Sequence, residues 1–187
     1  MSKTVSILWI VLAFSIFIYS YGFVDLNLTL SSNPIFFKFV SDMQQLVYFD
    51  RQASLKVFVG LIIASTLLYV LTLTFSKQFL GPRFPWKLIT LVSIIFALSY
   101  PMLSSDVFKY LFGAKQILVY HANPYLVTPD SFPQDTWIRF MRWVHTPSAY
   151  GPVFTLIESP AYLLGLGKFV PVLYLMKATM IAFYVWC

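Results

Sequence analysis

The chain has 187 residues, 59% of them apolar and 19% aromatic, with only 11% charged and a net charge of +6. A soluble domain is closer to half apolar and a quarter charged, so soluble, disordered, collagen-like and disulfide-scaffold architectures are excluded. The basic excess flanks apolar runs instead of forming a cluster, which argues against nucleic acid as a partner and for contact with membrane lipid.

Three stretches carry no Asp, Glu, Lys or Arg: Thr4–Val24, Val57–Ser76 and Leu88–Ser105. Each approaches the ~20 residues that cross a ~30 Å hydrocarbon core. The first ends in Tyr19, Tyr21 and Phe23, an interfacial aromatic belt, and no small-residue cleavage site follows. It therefore reads as an uncleaved signal anchor. The pattern predicts one all-α polytopic transmembrane domain over 1–187, with about five spans near 5–23, 57–75, 88–103, 152–166 and 170–187. Outer loops are expected at 24–56 and 104–151. The final apolar run stops at Tyr184-Val-Trp-Cys187 with no polar tail, which reads as the N-terminal part of a longer membrane protein. Cys187 is the single cysteine, so no internal disulfide is expected.

Ser76–Lys87 holds Lys77, Arg83 and Lys87 without an acid, which places it in the cytoplasm, and Lys3 and Lys168 with it. This orientation rests on the density of basic residues, since the longer outer segments carry more of them in total. Every acidic residue except Glu158 then falls outside.

In the first outer loop, Asn33-Pro34 is a cap and first-position pair that predicts a helix start. Ile35, Phe36, Phe39, Val40, Met43 and Val47 follow at helical spacing, giving an amphipathic helix that lies in the interface or packs on other spans. In the second loop, Ser104-Ser-Asp106 opens a helix. Asp106, Lys109, Tyr110, Gly113 and Tyr120 then recur on one predicted face, so a carboxylate, an ammonium and a phenol point the same way at the membrane surface. Pro124 breaks the helix, and Tyr150-Gly-Pro152 leads into the next span. An outer loop of this length is more than a connection.

The series Ser105-Asp106-Val-Phe-Lys-Tyr110, Asn123-Pro-Tyr125, Asp135-x-Trp137 and Tyr150-Gly-Pro152 resembles the first large outer loop of GT-C type membrane glycosyltransferases. It is similar in particular to bacterial polyprenol-phosphate-mannose-dependent mannosyltransferases, and also to the catalytic subunit of the GPI mannosyltransferase. The resemblance covers Leu103–Leu166, about a third of the chain.

It implies a GT-C-like fold and an enzyme that moves a hexose, mannose by closest likeness, from a polyprenyl-phosphate sugar to a glycan or glycolipid hydroxyl. The reaction would run with inversion, on the extracytoplasmic side of a bacterial-type plasma membrane. Asp106 matches the loop's acidic residue and is the candidate catalytic base. Relatives with paired acids have a second carboxylate where this chain has Ser104, so no metal site and no firm cofactor beyond the lipid-linked donor are expected. Lys109, Lys115, Arg139 and Arg142 are candidates to meet the departing lipid phosphate. Tyr110, Tyr125, Trp137 and Trp143 are candidates to stack on sugar, and Asn123 and Tyr150 complete the substrate-binding set. Each has a plainer role: capping for Asp106, headgroup contact for the lysines, and turn formation for Asn123-Pro-Tyr125 and Tyr150-Gly-Pro152.

Two reserve acids remain. Asp25 follows the first span, where GT-C enzymes often carry their acid. Glu158 lies inside the fourth predicted span, where an ionisable group is either functional or a hydrogen-bonded structural acid. Lys177 reads as a snorkelling residue, and His121 and His145 as structural ones. The rival readings are a lipid-linked oligosaccharide flippase or transporter, and a non-catalytic membrane subunit. A transporter calls for polar residues strung through several spans, whereas here the polarity gathers in one outer loop.

Overall fold

The computed structural model describes residues 3–24, 33–75 and 84–186. All regular structure among them is helical. The chain forms two compact units, Met1–Tyr100 and Pro101–Cys187.

The first unit holds α1 (Lys3–Ser20), α2 (Pro34–Gln44), α3 (Arg51–Thr74) and α4 (Trp86–Leu98). Breaker-free apolar sequence runs α1 to a 3-10 turn at Tyr21–Phe23. Gly22 belongs there because a Cβ would sit 2.4 Å from that of Val47. α2 starts where the Asn-Pro pair predicts: the Asn33 side chain accepts a hydrogen bond from the Ile35 amide at 2.9 Å. A π-helical turn at Gln45–Phe49 then delivers Asp50, whose carboxylate caps α3 by accepting from the Ala53 amide at 3.0 Å. Such a cap is worth about 1 kcal/mol. Polar contacts tie α1 to its neighbours. Tyr19 meets Ser54 Oγ at 2.8 Å, Trp9 donates to Thr72 at 3.2 Å, and Ser20 accepts from the Tyr100 amide at 2.9 Å.

The helices of this unit bury little of their apolar surface. Ile62, Ile63, Leu67, Tyr69 and Val70 of α3 are all exposed. In water that would be an aggregating surface, whereas lipid solvates it. Lys3–Phe23, Arg51–Thr74 and Phe169–Trp186 are each long and apolar enough to cross a membrane. The third and fourth predicted spans contain helices of 13 residues, Trp86–Leu98 and Pro152–Leu164. These rise about 20 Å each, less than the hydrocarbon thickness. The protein is an all-helical membrane protein.

The second unit contains α5 (Asp106–Leu118), a long return with 3-10 turns at Pro129–Ser131 and Ile138–Phe140, and the hairpin of α6 (Pro152–Leu164) and α7 (Phe169–Trp186). Gly165 and Gly167 make the hairpin turn. A Cβ on Gly165 would meet Val172 at 2.5 Å, and Gly167 has φ +65°. Phe108, Leu111, Phe112 and Ala114 of α5 are buried, as are Ala161, Val172, Leu173 and Met176 of the hairpin. Phe169 brings the layers together, 5.6 Å from Phe108 and edge-on to Trp137 at 4.9 Å between centroids.

The return is pinned by a knot around Asp135, whose carboxylate pairs with Lys115 at 2.5 Å. It also accepts from the Tyr120 hydroxyl at 2.7 Å and from the Trp137 amide at 2.9 Å. Burial alone would raise the Asp135 carboxyl, but these three donors and the lysine charge outweigh it and hold it below the usual carboxylate value. Tyr120 is pushed up to about 12, chiefly by its bond to Asp135 and then by burial. The Lys115 ammonium also lies 4.4 Å over the Trp137 ring, and Tyr120 stacks on Phe132 at 4.1 Å.

Tyr120 thus departs from the expected shared face. α5 ends at Leu118, two residues earlier, and the turn sends the phenol to Asp135.

Candidate active-site cleft

One face of α5 opens onto a cleft of about 380 Å³, within the range of small-molecule sites. Asp106, Lys109, Tyr110, Gly113 and Gln116 line it from the helix, Trp143 and Thr146–Tyr150 from the return, and Glu158 from α6. The helical residues follow the i, +3, +4, +7, +10 rhythm of a single face.

Asp106 stands at the first position of α5, after the cap residue Ser105. Its backbone amide is held by Ser104 Oγ at 3.1 Å. Among the described residues none donates a hydrogen bond to its carboxylate. The helix dipole favours the charge there while leaving the oxygens available. Lys109, one turn on, donates to Thr146 Oγ1, which fixes the ammonium between helix and return. Desolvation lowers its pKa, partly offset by the charge of Asp106.

The Tyr110 hydroxyl donates to that of Tyr150 at 3.0 Å, with the rings edge-to-face at 4.8 Å. Phe154 closes the cluster, 5.5 Å from Tyr110 and 4.9 Å from Tyr150. Burial first, then the Tyr150 bond and the charges of Asp106 and Glu158, raise Tyr110 far above an ordinary phenol, so it stays protonated. Glu158 is 2% exposed, and its Oε1 has no hydrogen-bond partner among the described residues.

Of the residues singled out from sequence, the structure therefore brings together Asp106, Lys109, Tyr110, Trp143, Tyr150 and the reserve acid Glu158. Lys115 and Trp137 lie in the buried knot around Asp135. Asn123 closes a turn by accepting from the Tyr125 amide at 2.9 Å, and Tyr125 bonds Thr155 at 2.8 Å. Arg139 and Arg142 are exposed, the former with its guanidinium 4.7 Å from the Phe140 ring. Asp25 lies outside the described residues. Among the described residues no three His, Cys, Asp or Glu side chains converge as metal ligands. Sequence reasoning did not select Gln116 or Thr146. Gln116 extends the Asp106 periodicity and was findable, whereas Thr146 reaches the cleft only through the path of the return.

The cleft thus gathers a carboxylate, an ammonium and aromatic side chains within one all-helical membrane protein. The family comparison identifies the class: residues 12–187 match the MptA_B family, alpha-(1->6)-mannopyranosyltransferase, N-terminal domain, and the chain belongs to that family. No curated protein matches the chain, and no solved structure does. Family membership supports mannosyl transfer as its role, with glycosyltransferase chemistry at the membrane.

Proposed function

We propose that the protein transfers mannose from a polyprenyl-phosphate donor to a hydroxyl of a lipid-linked or cell-envelope glycan, on the extracytoplasmic face of a bacterial plasma membrane. It does so as part of a GT-C type, inverting enzyme, and the (1->6) linkage in the family's description suggests a sugar 6-hydroxyl as acceptor. One observation carries the assignment to this site: a single helix face presents Asp106, Lys109 and Tyr110 to one cleft.

In this reading the acceptor hydroxyl attacks the anomeric carbon and passes its proton to Asp106. The bond from that carbon to the phosphate oxygen breaks, and its electron pair leaves with the polyprenyl phosphate. Lys109 offsets the charge gathering there, with exposed Arg139 and Arg142 near the lipid headgroups. Tyr110 donates its hydrogen bond to Tyr150, which leaves the Tyr150 hydroxyl proton to be donated, and the rings of Tyr110, Tyr150 and Trp143 offer apolar surface to the sugar. Lys115, Asn123, Tyr125 and Trp137 serve by shaping the return. The step uses side chains alone, without a divalent cation.

The test uses the intact protein in membrane vesicles with an acceptor extract. Radiolabelled polyprenyl-phosphate mannose is compared with other polyprenyl-phosphate hexoses and with a nucleotide-linked mannose. Label is expected in product from the lipid-linked mannose. Direct use of the nucleotide sugar, with the lipid-linked donor inert, would overturn the proposal.

A further inference from the structure

We infer that Glu158 is a sugar-recognition residue, its carboxylate accepting a hydrogen bond from a ring hydroxyl of the donor hexose and so setting which hexose the cleft takes. The inference rests on the transfer reading above and deepens it.

A carboxylate buried to this degree needs partners, because removing it from water is costly and a neighbouring donor normally repays that cost. Glu158 Oε1 has none among the described residues, although polar groups stand nearby. Those groups are already engaged. Thr155 is bonded to Tyr125, Ser159 turns back to the Thr155 carbonyl at 2.9 Å, and Tyr110 donates to Tyr150. Opposite Glu158, α5 presents Gly113, where a Cβ would stand 3.6 Å from Oε2. The helix therefore leaves Oε2 without a covering side chain, while Oε1 lies behind it, closed off from solvent. What this position lacks is a donor, and a hexose hydroxyl is one.

The placement also separates Glu158 from the proton transfer. Gly113 lies two turns below Asp106, about 10 Å along the helix axis. A sugar whose anomeric carbon is beside Asp106 at the mouth directs its remaining hydroxyls inward, toward Glu158. The two carboxylates thus divide the work, one acting at the anomeric centre and the other reading the ring.

The experiment compares wild type, Glu158→Ala and Glu158→Gln in vesicles, using polyprenyl-phosphate mannose and its 2-, 3-, 4- and 6-deoxy forms as donors. A site built around a buried acceptor rejects the analogue lacking the matching hydroxyl strongly. Wild type is expected to use one deoxy donor at least about 100-fold less efficiently (kcat/KM) than mannose, by that rule. Glu158→Ala should be slower on mannose yet use that same analogue within about threefold of it, because the hydroxyl no longer has a partner. Glu158→Gln keeps the shape and a carbonyl acceptor, and should fall between the two. If the alanine or glutamine variant discriminates among the deoxy donors as wild type does, the inference is wrong while the transfer reading stands. Absence of transfer by wild type from any donor would instead sink the transfer reading itself.

Discussion

Asp106 and Lys109 are neighbours one turn apart, yet their surroundings fit them for opposite tasks. The carboxylate stays open at a helix N-terminus, whereas the ammonium is partly desolvated and anchored to Thr146. A desolvated ammonium interacts more strongly with a departing phosphate than a hydrated one does. It also loses its proton at a lower pH than the ordinary 10.5 of lysine. If Lys109 serves the phosphate, activity should decline on the alkaline side as pH rises through that lowered value. Lys109→Arg should retain measurable transfer and move the decline upward, because a guanidinium stays charged. Lys109→Met should lower kcat/KM about 10- to 100-fold across the range, by loss of one preorganised charge. A pH profile of the three proteins checks this, and superimposable alkaline limbs would contradict it. These two residues were legible because their types and three-residue spacing state both chemistry and face. Thr146 was not, since nothing local marks a threonine that meets a lysine 37 positions away.

At the scale of the element, α5 has one face on the cleft and another bound to the return through Lys115 and Asp135. The hydrophobic and polar periodicity gave the helix, its start and its cleft face. It could not give the knot, because Lys115, Asp135 and Trp137 read equally well as surface ligands until a buried ion pair is seen. Lys115→Met leaves Asp135 buried without its cation and should destabilise the protein by about 3–5 kcal/mol, read by denaturation in detergent. The pair also carries a pH signature. Asp135 has a lowered folded pKa, so its stabilisation is complete above the ordinary carboxyl value of 3.8 and is lost as pH falls below it. Lys115→Met should flatten that acid limb. Gly113 offers the opposite signature. Alanine there meets Glu158 at an ordinary 3.6 Å, so helix propensity should raise stability by about 0.5–1 kcal/mol. The added methyl narrows the cleft in front of Glu158, and transfer should fall. A raised melting temperature with reduced turnover is the expected pair of readings, and unchanged turnover would show that sugar does not reach this level.

For the whole molecule, composition and charge-free runs carried the essential message of an all-helical membrane protein. The end of the third predicted span was not legible: it was expected to run to 103, whereas α4 stops at Leu98, ahead of Pro101. The fourth, expected at 152–166, forms a helix over Pro152–Leu164. The proposed topology places the 104–151 loop outside and the 76–87 segment inside. Phe169 packs on Phe108 and Trp137 of the loop, so the neighbouring Lys168 lies on the loop's side and not across the membrane from it, against the expectation from sequence. In a Cys187→Ser background, Ser131→Cys should react with a membrane-impermeant maleimide on intact cells, and Lys87→Cys only after permeabilisation. The reverse pattern would put the cleft on the cytoplasmic face and remove the lipid-linked donor from consideration.

The most direct test of the account is mannosyl transfer from polyprenyl-phosphate mannose by the intact protein carrying Asp106→Asn, beside wild type at matched expression. The substitution keeps size and helix position while removing the proposed base. It should lower turnover by about 100-fold or more with donor binding and melting temperature unchanged. Turnover equal to wild type would contradict the assignment of the cleft as the place where the acceptor loses its proton.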